Sequence, residues 1–457
     1  MKRYQGAIIA IFAMIALTAA FSPSAGAFLL TAAMLSALVV FAIYQTTDEP
    51  EAVSKIFLLA LGMRLAAGLF IHYFDLRGFF GGDANTYDRL GHELTLIWSG
   101  KGGMLSPFEL HRAASMSGSG WGMNYFVGAV YYVFGRNILI PQTICGALGA
   151  ATAPAVYVLA RRLYESKRVA RTAAVLIAIM PAMVIWSSQL MKDGLVLLFL
   201  VVGTIAVLKL QEKLSILAVA VLGICFVGIL SLRFYIFYMV AVAAVGSLVV
   251  GTSGRLRTFA PRLAALLILG LGLTYFGVIR IASTDVSRVT DLQTVQRSRL
   301  DLARSADSGF SEESDVSTPE GALATIPVGL TYLFLAPFPW MAANLRQAVT
   351  IPETLLWYAT IPFIISGLLY TIRRRFSRAL PVLIFTVMLS IAYAIFQGNV
   401  GTAYRQRTQI QVFLYIFAAV GIELILEKRR DRQMITNRAM ALQPQAAGVM
   451  FDRHDGR

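Results

Sequence analysis

The stretch IFLLALGMRLAAGLFIHYF, residues 56–74, is followed almost at once by GFFGGDANTYDRLGHEL, residues 78–94. The first stretch is apolar over about 19 residues, close to the roughly 20 that a helix needs to cross a bilayer core of about 30 Å. The second is polar and rich in glycine. The junction predicts a membrane helix that ends in a polar segment at the membrane surface.

Composition extends this interpretation to the whole chain. Of its 457 residues, 57% are hydrophobic and only 14% are charged, which is outside the range of soluble globular proteins. The apolar runs are continuous and not alternating, so they predict helices and not a β-barrel. The fold class expected is therefore an all-α polytopic membrane protein, with the lipid bilayer as its surroundings.

The net charge of +15 does not indicate a nucleic-acid partner, because the basic residues gather in short clusters between apolar runs. That pattern is typical of membrane orientation. About twelve spanning helices are predicted near 6–22, 27–44, 56–74, 138–160, 172–187, 194–210, 214–231, 235–250, 262–280, 352–371, 379–396 and 409–426. A cleaved signal peptide is the alternative interpretation of the first of them.

Two further apolar stretches, 121–134 and 324–341, are short and rich in aromatic residues or proline, so interfacial helices are expected there. If neither crosses the membrane, the main basic clusters all fall on the side of the N-terminus, as the positive-inside rule requires. The resulting regions are an N-terminal hairpin (1–50), a transmembrane core (51–280) with an outer loop (75–137), an outer-face segment (281–351), C-terminal helices (352–432) and a cytoplasmic tail (433–457).

Asp83 is the first candidate for chemistry, because it follows two glycines just after a membrane helix. A carboxylate at the lipid–water boundary can act as a general base. The alternative is a structural role as the N-cap of the helix that follows. Tyr87 and Asp88 follow on the same segment and are expected to support the site.

Asp193 and Lys192 form a second candidate pair, in the short turn of SSQLMKDGLVLLF. A helix N-terminus favours anions, so Asp193 is expected at the start of the helix and Lys192 is expected to face a bound phosphate. A capped helix with a snorkelling lysine is the alternative.

Arginines supply the other candidate phosphate ligands. Arg405 and Arg407 lie beside Tyr404 in GNVGTAYRQRTQ, and Arg233 lies at another predicted outer turn. The planar guanidinium group suits phosphate oxygens. Unspecific contact with lipid headgroups is the alternative for the two arginines of the loop.

Arg64 lies within a predicted span, where a charge is costly and usually faces the protein interior. It is expected either to pair with a neighbouring acid or to organise the cavity under Asp83. Three histidines near the first outer loop match no metal-ligand spacing, so neither a metal site nor another cofactor is expected.

The order of these segments resembles the GT-C glycosyltransferase superfamily. The resemblance rests on GGDANTYDRLGHEL, on the aromatic stretch YFVGAVYYVFGRN and on YVLARRLYESKRVARTAAVLIAIMPAMVIWSSQLMKDGLVLL. It covers about residues 56–210 and is nearest to bacterial relatives of protein mannosyltransferases and of the aminoarabinose transferase that modifies lipid A. Here Ala84 follows Asp83, whereas the family often has a second acidic residue in that position.

The resemblance implies a glycosyltransferase of the bacterial inner membrane whose active site faces the periplasm. Asp83 would be the catalytic base and Asp193 the second acidic residue. The donor would be a polyprenyl-phosphate or polyprenyl-diphosphate sugar, held by Lys192, Arg405 and Arg407. An acceptor glycan, lipid or protein would receive the sugar with inversion.

Two other classes stay open from the residues. A polysaccharide polymerase or ligase of the O-antigen type would rely on outer arginines and would not need Asp83. A flippase or transporter would carry buried charges and broken helices near the middle of the membrane. In this sequence Arg64 is the clear mid-membrane charge, and the other polar features gather at one face.

Overall fold

The structure is a computed structural model that describes residues 22–114, 120–250, 291–304, 308–341 and 345–451. Helices make up the regular structure of these residues, and no strand occurs among them apart from one isolated bridge between Gly309 and Asn399. The predicted all-α class is confirmed. The expected spans at 6–22 and 262–280 lie outside the described residues, except for Ser22.

The helices are numbered here in chain order. They are α1 Pro23–Thr46, α2 Pro50–Tyr73, α3 Asp83–Trp98, α4 Pro107–Ala114, α5 Trp121–Phe134, α6 Leu139–Tyr164, α7 Lys167–Ile179, α8 Pro181–Ser187, α9 Asp193–Glu212, α10 Ile216–Leu232, α11 Phe234–Val250, α12 Leu292–Arg304, α13 Pro319–Leu335, α14 Leu345–Arg374, α15 Phe376–Phe396 and α16 Val400–Phe451.

Seven helices of the described part are long and apolar enough to cross a membrane, or eight if the bent pair α7 and α8 counts as one span. Helix α10 is apolar but has only 17 residues, and the described part of α11, which is also apolar, has 17 residues. The predicted interfacial stretch 121–134 is the 14-residue helix α5, which is shorter than the roughly 20 residues of a span. The stretch 324–341 falls on the end of α13 and on a 3-10 turn at Pro339–Met341.

The predicted span 172–187 is not one straight helix. Helices α7 and α8 meet at Pro181 with a bend of 56°. Proline cannot continue the hydrogen-bond ladder, so carbonyl groups next to it lose their usual donors. The bend gives the chain a separate short helix that leads to Lys192 and Asp193.

Arg64 stabilises this bend from α2. Its Nη2 donates to the carbonyl oxygens of Ile177 and Met183, both at 3.2 Å, and its Nε donates to the Ser187 hydroxyl at 2.7 Å. The side chain is fully buried, and no acidic residue of the described chain pairs with it. The expected acidic partner is therefore wrong, and backbone carbonyl groups take its place.

Ion pairs gather at one end of the helix bundle, called the basic end here. Arg161 donates to Asp48 at 3.0 Å, Arg171 lies 3.4 Å from Glu49, and Arg378 pairs with Glu165. These contacts join the α1–α2, α6–α7 and α14–α15 connections. The basic residues after α6 and those between α14 and α15, which the positive-inside rule assigned to one side, thus lie together.

Candidate active site

A cavity of about 960 Å³ lies at the other end of the bundle. The polypeptide after α2, the α8–α9 turn, the α10–α11 turn and the beginning of α16 meet there. Its wall combines aromatic and charged side chains. They include Phe79, Phe80, Asp83, Trp186, Lys192, Arg233, Tyr235, Arg346, Glu353, Tyr404 and Arg405.

Asp83 is the first residue of α3, and Gly82 before it is the N-cap. Gly81 has a φ of 102°, a value that favours glycine, and lets the chain turn into the helix. Asp83 is therefore not the N-cap that the alternative interpretation expected. Its Oδ2 instead accepts from Arg405 Nη1 at 2.6 Å, and the side chain is 47% exposed. The carboxylate is thus held at the cavity wall and is open to solvent.

Asp193 begins α9 in the same way, without capping it. Its Oδ2 accepts from Arg405 Nη2 at 2.5 Å and from Nε at 3.0 Å, and its Oδ1 accepts from Arg233 Nη2 at 2.9 Å. The side chain is fully buried. A buried charge is tolerated only with such partners, so Asp193 fixes the two guanidinium groups.

Arg405 therefore joins two carboxylates that come from distant parts of the sequence. It lies 322 residues from Asp83 and 212 residues from Asp193 along the chain. Its guanidinium group also lies over the Trp186 ring, 5.2 Å from the centroid, a cation–π contact. The expected phosphate ligand is thus first of all the residue that holds the two acids.

Arg233 is buried at the α10–α11 turn. Besides Asp193 it contacts the Tyr235 hydroxyl, which accepts from Nη1 at 2.8 Å. Tyr235 in turn lies 3.4 Å from the hydroxyl group of Tyr393 on α15. This chain of contacts ties the cavity wall to the interior of the bundle.

Lys192 and Tyr87 meet at Gly120, which has a φ of 91°. A Cβ atom at Gly120 would lie 2.9 Å from Lys192 Nζ and 3.0 Å from the Tyr87 hydroxyl, and the positive φ favours glycine at this position. Burial, reinforced by the positive charge of Arg233, lowers the pKa of Lys192 to about 7. Lys192 lines the cavity, and its ammonium group can therefore lose a proton near neutral pH.

Arg407 does not line the cavity. It is fully buried, and its Nη1 donates to the carbonyl oxygens of Phe334 at 3.1 Å and Ala336 at 3.0 Å, where α13 ends. The sequence suggested a loop, but these residues belong to α16, which begins at Val400. Two residues along a helix turn the side chain by about 200°, so Arg405 and Arg407 face opposite ways. The expected phosphate contact of Arg407 does not fit this position.

Asp88 also lies apart from the cavity wall. Its Oδ1 accepts from the Tyr131 hydroxyl at 2.6 Å, and its Oδ2 accepts from Arg136 Nη2 at 2.6 Å. Burial alone would raise the pKa of Asp88, but the hydrogen bonds from Arg136 and Tyr131 outweigh it and hold the pKa below its usual value. Asp88 thus joins α3 to α5 and supports the site indirectly.

The cavity-wall residues that sequence analysis missed include Trp186, Tyr235 and Glu353. The hydroxyl of Tyr404, which was expected as a supporting residue, donates to Glu353. The signal for Glu353 was a lone acid in an apolar run, which usually marks a functional position. Trp186 and Tyr235 gave no signal beyond the aromatic residues common at membrane interfaces. In the described part of the chain, no group of three His, Cys, Asp or Glu residues could hold a metal ion.

Comparison with known proteins gives one family. Residues 120–276 match the family model described as dolichyl-phosphate-mannose-protein mannosyltransferase. The match begins at Gly120, includes Lys192, Asp193 and Arg233, and covers about a third of the chain. No curated protein matches the sequence. Together with the all-helical membrane fold of the described residues, the match supports a GT-C membrane glycosyltransferase in general.

Proposed function

We propose that the protein transfers a sugar from a polyprenyl-phosphate or polyprenyl-diphosphate donor to an acceptor glycan, lipid or protein. The main support for the proposal is that the carboxylates of Asp83 and Asp193 both accept hydrogen bonds from Arg405 at the wall of a large cavity. The family match supports a membrane glycosyltransferase in general. The donor, the acceptor and the residue roles are our proposal.

Asp83 acts as the general base. Its half-exposed carboxylate takes the proton from the acceptor hydroxyl or amine as that atom attacks the anomeric carbon. The bond from the anomeric carbon to the acceptor forms while the bond to the phosphate oxygen breaks. A single displacement of this kind inverts the anomeric centre.

Lys192 and the arginines receive the leaving group. The phosphate oxygen departs with the electron pair, and negative charge grows where Lys192, Arg233 and Arg405 line the cavity. Asp193 is buried and bound to both arginines, so it positions cations and does not take a proton from the acceptor.

The reaction is assigned to the outer face of a bacterial inner membrane. The support is the basic end, which is opposite the cavity and follows the positive-inside pattern of cytoplasmic loops. A lipid-linked donor would then enter the cavity from the outer leaflet.

The experiment that tests the proposal is transfer of labelled sugar from polyprenyl-phosphate donors by the purified protein in lipid. We expect transfer by the wild type and its loss in Asp83→Asn, with donor binding and folding retained. If Asp83→Asn transfers as well as the wild type, Asp83 is not the base. Activity that instead requires only Arg233 and Arg405 would favour the polymerase or ligase class.

A further inference from the structure

The cavity has a second polar wall that the proposed chemistry does not use. It is formed by Glu353 on α14 and Tyr404 on α16, and Glu353 is 4% exposed. The Tyr404 hydroxyl donates to Glu353 Oε2. The other carboxylate oxygen, Oε1, has no hydrogen-bond partner within the described ranges. Such an unpaired buried acceptor is costly, so a ligand in the cavity that donates a hydrogen bond to it would be stabilised.

Aromatic side chains adjoin this carboxylate. The Trp186 ring lies edge-on to the Tyr404 ring, with 6.3 Å between the centroids, and Phe80 packs on Trp186 in the same cluster. The Trp186 Nε1 is buried and also lacks a partner among the residues that the structure describes. Apolar faces with a few unpaired polar atoms are the usual lining of a small-molecule site.

Arg407 supports the pair from outside the cavity. Its guanidinium group lies over the Tyr404 ring, 5.2 Å from the centroid, and over the Trp357 ring, 5.3 Å from that centroid. Its positive charge attracts the carboxylate, while its Nη1 donates to the carbonyl oxygens of Phe334 and Ala336 and none of its nitrogens donates to Oε1. The acceptor atom of Glu353 is thus held in place and kept available.

We infer that Glu353 Oε1 accepts a hydrogen bond from a hydroxyl group of the donor's sugar ring, whose apolar face packs on Trp186. A sugar ring has both features that this wall matches: hydroxyl donors around its edge and C–H groups on its faces. The inference rests on the proposed function. According to this inference, Glu353, Tyr404 and Trp186 form the part of the cavity that binds the sugar. The part around Lys192 binds the phosphate.

The test measures equilibrium binding in lipid nanodiscs with two probes: a polyprenyl-phosphate hexose, and the same polyprenyl phosphate without sugar. We expect Glu353→Gln to weaken binding of the hexose probe about tenfold and to leave the sugar-free probe unchanged, since one hydrogen bond to a charged group is lost. Glu320→Gln, the same change at an exposed position on α13, should affect neither probe.

Single-deoxy forms of the hexose probe identify the hydroxyl group. One of them should bind the wild type about tenfold more weakly than the parent probe does, and Glu353→Gln should bind both forms equally. Tyr404→Phe removes only the hydroxyl that orients Glu353, and we expect a smaller loss for the hexose probe alone. It also provides the test if Glu353→Gln fails to fold.

Three results would overturn the inference: equal loss with both probes, no loss with either, or a loss that appears only in the KM for the acceptor. Binding needs no turnover, so the two proposals fail separately. Sugar-dependent binding without transfer to any acceptor would contradict the proposed function alone. Transfer in which Glu353→Gln leaves the KM for the donor unchanged would contradict this inference alone.

Discussion

The two ends of the helix bundle use the same residue types in different ways. At the basic end the Arg161 and Asp48 side chains are 32% and 39% exposed. At the cavity end the Arg233 and Asp193 side chains are 5% and 0% exposed. Exposed pairs contribute little to stability, while buried pairs carry a large desolvation cost and are retained at functional sites. The difference is consistent with the proposed function, in which the basic end orients the protein and the cavity end performs the chemistry.

The largest expected effect comes from comparing two single Asp→Asn variants, one at each end of the bundle. Asp83 and Asp48 are both half-exposed and each is bound by an arginine. We expect Asp83→Asn to lower the rate of sugar transfer by about 10²–10⁴-fold, because a general base is lost. Asp48→Asn should leave the rate within a few-fold of the wild type. Equal losses in this transfer assay would remove the distinction between the ends.

The next effect concerns stability. Arg405→Gln leaves Asp193 buried with Arg233 as its remaining arginine, which we expect to lower the free energy of unfolding by about 3–5 kcal/mol. Adding Asp193→Asn should recover much of that loss without restoring transfer. Chemical unfolding in mild detergent, followed by tryptophan fluorescence, measures both variants. If Asp193→Asn does not stabilise the Arg405→Gln variant, the unpaired charge of Asp193 is not the cause of the instability.

A smaller effect is expected from pH. Burial, with Arg233 nearby, lowers the pKa of Lys192 to about 7, so its amine loses the proton as pH rises through that value. Donor affinity should therefore fall several-fold between about pH 6 and pH 8, whereas Lys192→Arg, which stays protonated, should bind equally at both. A phosphodiester donor does not titrate in this range. If the donor affinity of the wild type does not change between pH 6 and pH 8, Lys192 does not bind the donor phosphate.

The smallest effect is expected at the basic end itself. Arg161→Gln removes an exposed ion pair with Asp48, and we expect a loss in the free energy of unfolding of less than about 1 kcal/mol. It makes the same chemical change as Arg405→Gln. The unfolding experiment described for that variant gives the comparison, and similar losses for both would show that burial does not distinguish the ends.

The helical fold was accessible from sequence because long apolar runs in a membrane have few alternatives to helix. The expected run 352–371 corresponds to α14, Leu345–Arg374, and the run 56–74 to α2, Pro50–Tyr73. The bend between α7 and α8 was missed because hydropathy averages over it, although Pro181 marks the position.

The site was accessible only in part. The resemblance to a family indicated that Asp83 and Asp193 belong together, and the structure adds Arg405 as the residue that joins them. Arg405 and Arg407 could not be told apart, because a supposed loop hides which face of a helix each residue occupies. Glu353 was missed because its partner Tyr404 is 51 residues away in the sequence.

Arg64 has a consequence for how the protein is made. The backbone and hydroxyl groups that it binds on α7 and α8 are synthesised 113 to 123 residues after it. Until then α2 must enter the bilayer with a guanidinium group that lacks these partners, at a cost of about 2.5–3.5 kcal/mol near the helix centre. Insertion of α2 is thus completed by a later segment, and the same event sets the α8 bend that leads to Lys192 and Asp193. We therefore expect membrane integration of α2 and assembly of the cavity to be coupled in biogenesis.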